Sequence, residues 1–82
     1  MKKAMKSMDA RIHEGQSVMR SLRESGVFIA ISAQDRARLT ECMNTFVRDA
    51  EPCTTSFQVP GFGKATVKLS LCSQSGVEVA AS

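Results

Sequence analysis

No stretch of this sequence approaches the ~20 consecutive apolar residues that a membrane-spanning helix requires. It holds one histidine, no C-x-x-C pair, no tryptophan and no tyrosine. The first absence excludes a transmembrane helix. The N-terminal run MKKAMKSMDARIHEG opens with Lys2 and Lys3 as a leader would, but Lys6, Asp9 and Arg11 interrupt any apolar core, so the chain is read as cytoplasmic. His13 has no second histidine to pair with. Cys42, Cys53 and Cys72 are an odd set, which argues against a disulfide framework. A zinc site would need all three cysteines and His13 to converge over long separations, without the short knuckle spacings of structural sites. Each cysteine is expected to be a small core thiol, with no disulfide, no metal and no cofactor. Internal repeats, low-complexity runs and linkers are absent too.

What is there has the composition of a folded globule. The chain is 43% hydrophobic and 23% charged with net charge +3, too apolar and too weakly charged for disorder. Its 82 residues make one domain, spanning 1–82. A domain of this size buries only about 60–65% of its unfolded surface, so its stability is marginal unless something adds buried area, and oligomerisation is a common means. Positive charge gathers at the start, with Lys2, Lys3, Lys6 and Arg11 against Asp9 alone. Such an end suits an acidic partner or a phosphate backbone.

The hydrophobic pattern predicts an α+β fold in the order α-β-α-β-β, with a further edge strand. A first helix is expected over about residues 3–24, with Met1, Met5, Met8, Ile12, Met19 and Leu22 on a heptad seam and Gly15 in its one vacant slot. Gly15 either breaks this helix or admits another backbone closely. Gly26 is the stop, where a left-handed cap is wanted. Val27–Ile31, apolar throughout and rich in β-branching, reads as a central strand covered on both faces. A second helix follows over 33–50. Ser32 and Asp35 form its capping box, Leu39, Cys42, Met43, Phe46, Val47 and Ala50 form its buried stripe, and Pro52 ends it.

Residues 54–72 alternate as a hairpin, and 77–80 supply the edge strand. Keeping Phe57 and Val59 on the same face as Ala65, Val67, Leu69 and Leu71 demands a loop with an odd number of residues. The register expected sets Val59 opposite Ala65, Phe57 opposite Val67 and Cys53 opposite Leu71. A helix between the first two strands implies a right-handed crossover and a mixed sheet.

The chemistry-bearing residues form no catalytic pattern. Glu41 falls on the exposed face of the second helix, and Asp49 and Glu51 lie at its C-terminal end. Gly61-Phe62-Gly63-Lys64 lacks the spacing and the following helix of a phosphate loop, and its glycines are those a hairpin turn uses. Val27-Phe28-Ile29-Ala30 resembles the first half of the strand-one signature of the RNA-recognition motif, and Gly61-Phe62-Gly63 is similar to the core of its strand-three signature. That resemblance spans about half the chain and implies Phe28 and Phe62 stacking on bases. Lys64 stands where a second stacking aromatic belongs, and the Asn-Leu ending of the first signature is missing. No family is assigned.

The expectation is therefore a small non-enzymatic protein-binding module, an inhibitor or adaptor of the kind phages and other mobile elements use as anti-defence proteins. The alternative is a nucleic-acid-binding accessory protein using the basic N-terminal helix. The methionine-rich seam suits an adaptable docking face, either for a larger protein or for a homodimer through the first helix. Candidate contact residues are Lys2, Met5, Lys6 and Met8 on that helix, and Phe62 and Lys64 at the hairpin.

Overall fold

The structure, a computed structural model, describes residues 6–80. Its elements are α1 (Met8–Ser25), α2 (Val27–Ala30), α3 (Ala33–Asp49), β1 (Cys53–Val59), β2 (Gly63–Leu69) and β3 (Gly76–Ala80). The fold is α+β: helices first, then a three-stranded antiparallel sheet in the order β1-β2-β3. No helix among the described residues is long and apolar enough to cross a membrane.

Local chemistry sets the helix ends. Ser7 caps α1, its hydroxyl accepting from Ala10 N–H at 3.2 Å, so the start expected near residue 3 moves to Met8. Residues 3–5 lie outside the described residues. α1 runs unbroken through Gly15 and stops at Gly26, whose φ of 88° lets its N–H donate back to Arg23. Ser32 caps α3 by accepting from Asp35 N–H at 3.1 Å, satisfying a donor the helix itself leaves open.

The central strand expected at Val27–Ile31 is corrected to a single helical turn. Ala30 N–H donates to the Gly26 carbonyl and Ile31 N–H to that of Val27. A short apolar run fits a buried strand or a buried helical turn equally well by composition. The turn buries Val27 and Ile31 while leaving Ile29 78% exposed. Among the described residues there are three strands, which all follow α3 in the chain and pair with one another. The crossover and the mixed sheet are corrected with it.

The hairpin keeps the expected faces but not the expected register. Phe57 pairs with Ala65 and Val59 with Gly63, leaving Pro60, Gly61 and Phe62 as a three-residue loop. The slip is two residues, so every side chain stays on its intended side. Phe57, Val59, Ala65, Val67 and Leu69 are buried under the helices, with α3 on β1 and α1 against β3. Thr54, Ser56, Gln58, Lys64, Thr66, Lys68 and Glu78 alternate with them, so one face of the sheet is core and the other polar.

The cysteine expectation is also corrected. Cys42, on the sheet side of α3, is joined to Cys53 at the start of β1, with Cα atoms 5.8 Å apart. The separation lies within the range a disulfide spans. Pro52 and the left-handed Ala50 (φ 53°) return the chain under the helix it has just left, which places the two thiols face to face. Cys72 is free and exposed.

Candidate functional site

The residues singled out from sequence do not converge. Lys2 and Met5 lie outside the described residues. Lys6 is engaged within the fold: its ammonium pairs with Glu14 at 2.7 Å and donates to the Ser70 carbonyl at 2.7 Å and to that of Ser73. It ties the entry of α1 to the β2–β3 turn. Met8 is 51% exposed at the start of α1. Phe62 leans on the far end of that helix, where a Cβ on Gly26 would meet its Cζ at 3.5 Å. An 18-residue helix is ~27 Å long, so Met8 and Phe62 mark opposite ends. Lys64 pairs with Gln58 in the sheet, on its polar face, whereas Phe62 leans on the helical side.

Arg11 is engaged as well. It donates to the Val47 carbonyl at 3.1 Å and to the Lys6 carbonyl at 2.8 Å. Both described cations of the basic end therefore hold the fold together. Burial alone would raise the Glu14 carboxyl. The hydrogen bond and charge of Lys6, with further bonds from Ser75, outweigh it and hold the carboxyl below its ordinary value.

The structure does build a site of which the sequence pattern showed only the α1 half. The apolar surface of α1 divides in two, and its buried half includes Val18, which lies outside the heptad seam. Gly15, Val18 and Leu22 form the ridge buried against the core, whereas Met8, Ile12 and Met19 lie about a sixth of a turn round the helix from it, by the 3.6-residue repeat. Ile12, Gly15 and Met19 line a groove of about 700 Å3 between α1 and α3, together with Met43 and Val47. Its rim carries Gln16, Arg20, Arg23, Glu24 and Asn44. The groove exists because the helices approach closely at Gly15, where a Cβ would come within 3.3 Å of Met43 Sδ. The vacant slot in the heptad was the signal for it. The half contributed by α3 had no signal, because Met43 and Val47 read as ordinary members of a core stripe.

This lining has an apolar floor and a polar rim, which suits recognition of an apolar ridge rather than bond chemistry. His13 is exposed on α1, and no three His, Cys, Asp or Glu side chains gather as a metal-binding group among the described residues. Phe28, the other aromatic implicated by the RNA-recognition-motif resemblance, lies with the guanidinium groups of Arg23 and Arg36 over its ring at 5.6 and 5.8 Å. It stands on a helical turn rather than a sheet, so the stacking platform implied by the resemblance is not formed. No protein-family model matches the chain, and neither curated proteins nor solved structures give a match.

Proposed function

We propose that this protein is a non-enzymatic protein-binding module of the inhibitor or adaptor type, and that the α1–α3 groove is its docking face. The observation that carries this reading is the exposure of Met8 (51%) and Ile12 (37%) along the ridge that leads into an apolar groove. Apolar side chains aligned on one open face mark an interaction site more often than scattered ones do. The partner is a larger protein that offers an apolar helical ridge with acidic residues beside it, the latter facing Arg20 and Arg23. Flexible methionines on both walls let the groove adapt to that ridge. Binding acts by covering a surface of the partner. An anti-defence role in a phage or other mobile element is the narrowest form of this reading.

The nucleic-acid alternative draws less support, because Lys6 and Arg11 are occupied internally. Residence in the cytoplasm belongs to the proposal and makes a definite demand on the cysteines. A reducing compartment keeps thiols open, so rapid alkylation at lysis should trap Cys42 and Cys53 unpaired. Finding them already joined in the cell would move the protein to an oxidising compartment.

The docking reading is tested by capture from the cells that encode the protein, using tagged wild type, Ile12→Asp and Lys64→Glu. A protein retained by wild type and Lys64→Glu but lost with Ile12→Asp supports it. Identical captures from all three would remove the groove from the binding site.

A further inference from the structure

We propose that the α1–α3 groove is self-complementary and closes on α1 of a second copy, antiparallel, about a twofold axis beside Gly15 and Gln16. This rests on the docking reading above and names one occupant of the same face, which a larger partner would have to displace.

The order of residues along the outer side of α1 favours this pairing. From its N-terminal end that side carries Met8, Asp9, Ile12, Gly15, Gln16, Met19, Arg20 and Arg23. Acid stands at one end, the other end is net basic with Arg20 and Arg23 against Glu24, and apolar side chains lie between. An isologous interface must complement itself after a half-turn. Here the half-turn sets Ile12 against Met19 of the second copy. It brings Asp9 within one helical turn of Arg20 and Arg23 of that copy, and lays Met8 along an arginine stem, which is itself apolar. A parallel pairing would instead set Asp9 against Asp9 and arginine against arginine. The centre also fits. Gly15 holds α1 close to α3, and Met43 and Val47 beside it form the apolar floor on which the second helix would rest. The two exposed large apolar side chains on this side of α1, Met8 and Ile12, are the ones the pairing covers. A domain of 82 residues gains buried area in the same step.

The test is a charge swap followed by sedimentation equilibrium. Asp9 and Arg23 are fourteen positions apart on one helix, ~21 Å along its axis, so they cannot rescue each other within a single chain. Asp9→Arg alone, and Arg20→Asp with Arg23→Asp, should each weaken dimerisation tenfold or more. The triple swap should recover most of the wild-type constant. Circular dichroism on each variant confirms the fold, since all three positions are exposed. As a second measurement, Gln16→Cys in a Cys72→Ser background should cross-link to its counterpart under mild oxidant. A wild type that stays monomeric at millimolar concentration overturns the proposal, as does a dimer indifferent to both reversals. Monomers whose capture of a larger protein is still lost with Ile12→Asp would leave the docking reading standing. Self-pairing with no groove-dependent capture would do the reverse.

Discussion

Gly15 and Met43 set the spacing of the two long helices: a Cβ on Gly15 would sit 3.3 Å from Met43 Sδ and 3.8 Å from Val47 Cγ2. Glycine in a helix interior costs about 1 kcal/mol relative to alanine. The thioether it faces is flexible and can yield a few tenths of an ångström. Gly15→Ala should therefore stabilise the domain by about 0.5 kcal/mol, raising Tm by roughly 2–4 °C. Gly15→Val should overpack the contact, costing about 1–3 kcal/mol, and should fill the groove floor. Thermal melts of the two variants separate these outcomes. A fall in Tm with alanine would show that Met43 cannot move.

Phe46 is fully buried on α3, over the sheet. Phe46→Ala should cost about 3–5 kcal/mol, enough to unfold most molecules of a domain this small. The expected result is loss of the cooperative urea transition or a much lower midpoint. A soluble variant with the parent's melting temperature would mean that α3 packs elsewhere.

The Cys42–Cys53 pair should be visible in protein purified in air. Intact mass should rise by about 2 Da on reduction. Maleimide should label Cys72 alone before reduction and all three cysteines after reduction and unfolding. Replacing both paired cysteines with serine should lower stability by about 2–3 kcal/mol, as loss of closure over a short loop does. Full labelling of the folded, unreduced protein would refute the pairing.

The Lys6–Glu14 contact gives a pH dependence of known sign. Glu14 is held below its ordinary pKa, so its contribution is complete above the unfolded carboxylate value. It is lost as pH falls through the lower, folded value. Side chains 19% and 29% exposed make a partly screened pair, worth about 0.5–1 kcal/mol. Glu14→Gln should melt below wild type at neutral pH. The difference should shrink below about pH 4, where free carboxylates protonate. A constant gap across that range would assign the loss to packing rather than charge.

Phe62 is 38% exposed and rests beside Gly26. Phe62→Ala should cost about 1 kcal/mol of stability, through the apolar area lost, and leave capture of a groove-bound partner unchanged. Gly26→Ala should cost as much or more, because Gly26 holds φ at 88°, where a Cβ is disfavoured. A Phe62→Ala variant with unaltered Tm but weakened capture would return the hairpin tip to the binding face.

Elements whose signals are local were legible from sequence. Ser32 and Asp35 announce the start of α3, Gly26 the end of α1, and the alternation through Phe57, Val59, Ala65, Val67 and Leu69 the buried side of the hairpin. Capping, left-handed backbone and side-chain alternation depend on residues close in the chain, so the amino-acid order alone determines them. Tertiary structure decided the rest. Val27–Ile31 has strand composition, yet it became a helical turn because the strands all lie beyond α3 and pair among themselves. The hairpin slipped by two residues because periodicity fixes which face a side chain takes, not which residue it meets. Cys42 and Cys53 came together only when α3 lay down on β1. The groove formed only when Gly15 let Met43 and Val47 approach α1. Each of these outcomes depends on the distance between elements, which a linear pattern does not encode until the chain has packed.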